Sequence, residues 1–176
     1  EFKFIKAKFM AYTKSDLHHN LKFDEKIYYE AIQHSLSGKL LESLKKLNFL
    51  ISKYKNNYFI IETKADILLS YGYNVEALEF YKKILKKYPN NNYVKFNIFI
   101  NSNYDFKDIK FVRKNFVDNQ NLLYLYPNNQ LLLTKYYNLA EILEYQEWKI
   151  LFKILLFDKN NLKKKLIELN SKTKDY

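Results

Sequence analysis

The chain has 176 residues, a formal net charge of +11, no cysteine, and only two glycines and two prolines. That length suits one compact domain or about five helical hairpins. The absence of cysteine excludes disulfides and thiolate metal sites, and the sparse glycine and proline favour long helices joined by short turns. Hydrophobic residues make up 48% of the chain and aromatic ones 18%, too many for a disordered polymer, so a sizeable core is expected. No run approaches the roughly 18 continuous apolar residues of a membrane span. Abundant Tyr and Phe would equally suit strands, so the decision between helix and strand rests on periodicity.

In chain order, Phe2, Ile5 and Phe9 recur at helical spacing and predict a helix from Phe2 to Tyr12, with Lys3, Lys6 and Lys8 largely off that stripe. The lysines and the leading glutamate rule out a signal peptide in Glu1 to Lys14, and a chain that begins with glutamate reads as part of a longer product. Polar residues from Ser15 to Asn20 read as a linker. Gly38 and Gly72 then stand 34 residues apart. In that frame Ala31 corresponds to Ala65, Ser43 to Ala77, Leu47 to Tyr81, and Leu50 to Ile84, which places small residues where helices approach closely and large ones where a neighbour is packed. Each glycine marks a reversal between two helices, where the left-handed backbone is free of steric cost. The predicted helices are 24–37 and 40–53, then 58–71 and 74–87, the last stopped by Pro89. In the second pair Ile61, Ala65 and Leu68 form one stripe, and Ala77, Leu78, Tyr81 and Ile84 another. Both have helical spacing, and stacked copies are needed to bury both.

Beyond Pro89 the period loosens, because Pro127 lies 38 residues further on; both prolines precede Asn-Asn. A third pair is expected near 92–102 and 108–124, with Asn103 supplying the left-handed turn. A fourth is expected near 130–143 and 146–157, without a glycine and with Tyr137 where the frame asks for alanine. A helix near 160–170 reads as a terminal cap. The organisation is thus a leading helix and linker, 1–20, and a repeat domain, 21–176, with units at about 24–57, 58–91, 92–129 and 130–159.

A 34-residue helix-turn-helix period is that of the tetratricopeptide repeat. The chain therefore resembles that superfamily, which implies an all-α, right-handed superhelix of antiparallel hairpins. Asn57–Tyr58–Phe59, Glu62, Lys64–Ala65, Ile67–Leu68, Gly72, Glu76–Ala77 and Tyr81, together with Tyr28, Ala31–Ile32, Gly38 and Lys6–Ala7–Lys8, resemble the region after the protease domain of bacterial zinc metallopeptidases linked to outer-membrane assembly quality control. An enlarged third unit fits that family too, and the resemblance spans roughly residues 1 to 130. It implies a periplasmic or membrane-associated repeat domain that positions protein substrates or assembly partners, with zinc held by an upstream peptidase domain and none here.

No catalytic set is legible in the chain itself. The zinc-peptidase helix needs two histidines four apart with a glutamate between them, whereas this chain has only His18, His19 and His34. Glu62 and Asp66, one helical turn apart, have the spacing of an acid/base pair, although a hydrated helix face accounts for them as well. In the superhelical frame the first helix of each pair lines the inner groove. That places Tyr28, Ile32 and Ser35, then Phe59, Glu62, Asp66 and Leu69, then Tyr93, Phe96, Ile100 and Asn103 along it. Tyr28, Ile32, Tyr58, Phe59, Glu62, Asp66, Tyr93 and Phe96 are the expected protein-binding residues, and the groove suits an extended peptide or a partner helix. Gly38, Gly72, Pro89 and Pro127 are the expected structural turns.

The excess lysine, including Lys45, Lys46, Lys53, Lys55, Lys82, Lys83, Lys86 and Lys87, falls on or just after the second helices. An anionic partner would meet such a surface, but lysines spread over several helices lack the arginine-rich element of a nucleic-acid reader. The reading that emerges is a non-catalytic interaction scaffold. Its alternatives are a free-standing adaptor or a basic protein at a membrane surface, cytoplasmic if the peptidase resemblance does not hold.

Overall fold

The computed structural model describes residues 2–13, 20–101, 109–116 and 129–157. Among them lie nine helices: α1 (Phe2–Thr13), α2 (Phe23–Leu36), α3 (Leu40–Lys53), α4 (Tyr58–Ser70), α5 (Asn74–Lys87), α6 (Asn92–Asn101), α7 (Ile109–Asn115), α8 (Gln130–Ile142) and α9 (Gln146–Phe157). The fold is all-α, and consecutive helices pair as hairpins, α2 with α3, α4 with α5 and α8 with α9. The helices expected from the 34-residue frame agree with α2 to α6, α8 and α9 to within one residue at either end. The helix anticipated over 108–124 corresponds to α7, which closes at Asn115; residues 117–124 lie outside the described residues. The Asn115 side chain donates to the Phe111 carbonyl at 2.7 Å, a local bond that competes with the helical ladder. The linker from Ser15, the turn around Asn103, Pro127 and the capping helix at 160–170 lie outside the described residues.

The chain forms two compact units, residues 1–98 and 99–176, the boundary falling within α6. In the first, the frame of the two glycines is also the frame of the core. Ala31 and Ala65, Ser43 and Ala77, Leu47 and Tyr81, and Leu50 and Ile84 are all buried, so each repeat position has one packing role in both hairpins. The reversals are equally alike. Gly38 has φ +80° and Gly72 φ +86°. After each, the next amide bonds back five residues, Lys39 N to the His34 carbonyl at 2.8 Å and Tyr73 N to the Leu68 carbonyl at 2.9 Å. This is the bond pattern that closes a helix around a left-handed residue.

A second repeated element, Tyr-x-Asn-Asn, joins one hairpin to the next at 54–57 and 88–91 and occurs again at 126–129. Its last asparagine caps the following helix each time. Asn57 Oδ1 accepts from Phe59 N at 3.1 Å, Asn91 Oδ1 from Val94 N at 3.0 Å, and Asn129 Oδ1 from Leu132 N at 3.1 Å. Such caps contribute about 1 kcal/mol each.

In the second unit the glycine is replaced. Glu144 stands at φ +61° between α8 and α9, and Tyr145 N bonds back to the Ala140 carbonyl at 2.9 Å, the same turn built on a residue that disfavours it. The small residue stands at Ala140, fully buried, instead of at position 137. Phe116 fills the space against Tyr145, Trp148 and Phe152, with ring centroids 5.3, 5.7 and 6.5 Å apart. The Tyr145 hydroxyl donates to the Arg113 carbonyl at 3.1 Å, which ties α7 to the turn.

Candidate functional site

The site is built where α1 lies against the first helices of the two regular hairpins. α1 packs along α2, burying Phe4, Ala7, Met10 and Ala11 at spacings of three and four, one helical face. Its opposite side leaves Ile5 and Phe9 exposed. Phe4 meets Tyr28 with ring centroids 5.2 Å apart and Tyr54 at 5.5 Å. Tyr28 in turn meets Phe59 of α4 at 6.1 Å, and its hydroxyl shares a 2.6 Å hydrogen bond with Thr63 Oγ1. Two polar clasps hold the ends of α1: Lys3 Nζ donates to the Tyr54 hydroxyl at 2.9 Å, and Gln33 Nε2 donates to the Ala11 carbonyl.

The centre of the site is Lys8. It crosses from α1 to α4, where its ammonium stands 3.6 Å from Asp66 Oδ2 and 4.9 Å from the Phe59 ring centroid. Both contacts favour the cation, the first by charge and the second through the ring quadrupole. The Asp66 side chain is wholly buried, and its Oδ1 accepts from the Tyr81 hydroxyl at 2.7 Å. The counter-charge facing Oδ2 is the Lys8 ammonium. Glu62, one turn earlier, accepts from Asn91 Nδ2 at 3.3 Å. Burial pushes the Glu62 carboxyl up to about 7, and the neighbouring Asp66 adds to the rise while Lys8 and Asn91 oppose it. Burial raises Asp66 as well, opposed by Lys8 and by the hydroxyls of Tyr81 and Tyr93. Two carboxyls thus face one ammonium, and near neutral pH the pair retains part of a proton.

Of the residues expected to line a groove, the structure brings Phe59, Glu62, Asp66 and Tyr93 into one neighbourhood; Asp66 is wholly buried, whereas Phe59, Glu62 and Tyr93 are half-buried. Tyr28, Ile32 and Phe96 are fully buried. They are corrected from groove wall to core, Tyr28 because α1 lies on it. Tyr58 faces elsewhere: its ring lies 4.5 Å from that of Tyr88, and it lines a shallow surface concavity with Lys87, Pro89, Asn90 and Asn91. The Asp66 side chain is closed to solvent, and Glu62 is half-buried beside it. The cation that faces them is the Lys8 ammonium.

The part played by α1 is not evident in the sequence, where it reads as a leading helix ahead of the repeats. The available signal was Phe4, Ala7, Lys8 and Ala11, a narrow stripe with a lysine on its edge. Among the described residues no group of three or more His, Cys, Asp or Glu is placed to hold a metal ion, and no helix is long and apolar enough to cross a membrane. Lys45, Lys53, Lys55, Lys82, Lys83, Lys86 and Lys87 are exposed; Lys53 pairs with Asp24 at 2.8 Å, and Lys46 with Glu30 at 2.7 Å. Compared with protein-family models, with curated proteins and with solved structures, the chain matches none.

Proposed function

We propose that the chain is a non-catalytic protein-interaction scaffold, an adaptor of tetratricopeptide-like hairpins wound as a right-handed superhelix, whose inner face receives a helical segment. The observation that carries this reading is α1 itself. A short basic amphipathic helix is seated on α2 and reaches α4, with an aromatic contact at Tyr28 and an ion pair at Asp66. Helix-in-groove recognition uses the same parts, apolar anchors at spacings of three and four with a charge that sets register. A link to a zinc peptidase rests on the sequence resemblance alone.

The test is to identify the protein recovered by proximity labelling from the full chain in its own cells, then to reassemble the purified pair. A 1:1 complex that is lost on Phe59→Ala or Glu62→Lys supports the scaffold. Turnover of a peptide, ester or phosphodiester substrate by the purified chain contradicts it. One observation favours a second reading, contact with an anionic membrane surface: Ile5 is 47% and Phe9 68% exposed on a helix that also carries exposed Lys6, a combination that binds interfaces. Sedimentation with phosphatidylserine vesicles at low salt decides it, with Phe9→Glu abolishing any binding that proceeds through α1.

A further inference from the structure

The acid pair is not required by the repeat. In the 34-residue frame Glu62 corresponds to Tyr28 and to Phe96, and Asp66 to Ile32 and to Ile100. All four of those equivalents are buried apolar or aromatic core. Only the middle hairpin places two carboxyls there, and it buries one of them completely. Burying a carboxyl costs several kcal/mol unless a partner compensates, and an apolar pair of similar volume is often as good or better for stability. A face that carries this pair is therefore poor core but a selective receptor for a cationic side chain.

The helix on that face has the traits of a ligand. It buries a narrow stripe, Phe4, Ala7, Met10 and Ala11, and leaves the large apolar side chains Ile5 and Phe9 in solvent. It reaches α4 through Lys8, a long flexible side chain whose ammonium stands over the Phe59 ring and beside Asp66.

We infer that the face of α2 and α4 is a receptor for an amphipathic helix with an aromatic residue four positions before a lysine, and that α1 is its built-in occupant, closing the site in cis until a partner helix with the same Phe-x-x-Ala-Lys pattern displaces it. The inference rests on the scaffold reading and adds the class of partner and its control. Charge sets the preference: two carboxyls against one ammonium leave the face net acidic, so an acidic or neutral helix leaves Asp66 buried without a counter-charge. Occupation in cis lowers the apparent affinity for a partner by the fraction of time the face is open.

The test uses the full chain and a synthetic peptide of residues 2–13 with a fluorescent label. Lys8→Glu in the chain sets a third carboxyl against Glu62 and Asp66 and expels α1. The peptide is expected to bind this variant at least about tenfold more tightly than it binds the unaltered chain, and a peptide carrying Lys8→Glu is expected not to bind either. Equal binding to both chains, or no binding to a variant whose helical circular dichroism and thermal transition are intact, overturns the inference. Hydrogen exchange on the unaltered chain covers the case in which the variant fails to fold. α1 amides that exchange at least about tenfold faster than those of α4 show a helix that lifts independently, and α1 amides protected as fully as the α4 core overturn the cis closure. A natural partner that binds the unaltered chain and Lys8→Glu equally leaves the scaffold standing and removes α1 as its gate.

Discussion

The hairpins of residues 23–87 and the hairpin of residues 130–157 make the same reversal with different residues. In the first region glycine supplies the left-handed turn twice, at Gly38 and Gly72, and in the second Glu144 does so. The bond that closes the helix is the same in each case, running back five residues. What differs is the support. Gly38 has nothing within van der Waals reach of a Cβ placed on it, so its turn stands on backbone freedom alone. The Glu144 turn is held from outside, by Tyr145 bonded to the Arg113 carbonyl and packed at a tilt against Phe116. A conformation unfavourable for a side chain persists where tertiary contacts over-determine it.

The largest expected effects separate the two regions by their cores. Tyr28→Ala, which empties the junction of α1, α2 and α4, and Phe116→Ala, which removes the centre of the second aromatic cluster, should each cost about 3–5 kcal/mol. Hydrogen exchange should place the loss from Tyr28→Ala within residues 1–98 and the loss from Phe116→Ala within residues 99–176, and a uniform loss in both variants would break the division.

The next effect belongs to the first region alone and depends on pH. Glu62 is raised from 4.5 to about 7 in the fold, so its contribution to stability is complete below pH 4.5 and is lost as the pH rises through about 7. Asp66 on the same helix is raised too and acts in the same direction; Lys8 from α1, Asn91, and the hydroxyls of Tyr81 and Tyr93 face the pair and oppose the shift. Glu62→Gln should therefore gain on the order of 2 kcal/mol relative to the unaltered chain between pH 5 and pH 8. Urea unfolding at the two pH values checks this, and a parallel pH dependence in both proteins counts against the raised Glu62 carboxyl.

Smaller effects compare the turns directly. Gly72→Ala and Gly38→Ala should each cost about 1–2 kcal/mol. Glu144→Gly should gain less than about 1 kcal/mol, because relief of strain is offset by the greater freedom of glycine in the unfolded chain. Thermal unfolding of the three variants measures both, and a loss at Glu144→Gly would show that its side chain, not the aromatic support, secures the turn.

Much of the helical layout could be read before any coordinates, because Gly38, Gly72 and the small residues between them repeat at a fixed interval and glycine announces a left-handed turn. Glu144 could not be read in this way, since glutamate carries no sign of that conformation and the contacts that impose it come from α7. The short α7 was missed for a similar reason: the bond from Asn115 to Phe111 is a choice between local structures that periodicity does not register. Glu62 and Asp66 were legible as neighbours on one face. The burial of Asp66 was not, because four-residue spacing of carboxyls fits a hydrated helix equally well and its partner, Lys8, lies far away in the chain. The continuous burial of Ala65 to Ser70 was hinted at by the apolar run Ile67 to Leu69, a pattern broader than one stripe.

The most direct test of the seated helix is nuclear Overhauser contact between α1 and the first helices of the two regular hairpins in the unaltered chain. Cross-peaks from the Lys8 methylenes to the Phe59 ring, and from the Phe4 ring to that of Tyr28, are expected. Their absence, with α1 signals at the positions of a free peptide, would contradict the placement of α1 on α2 and α4.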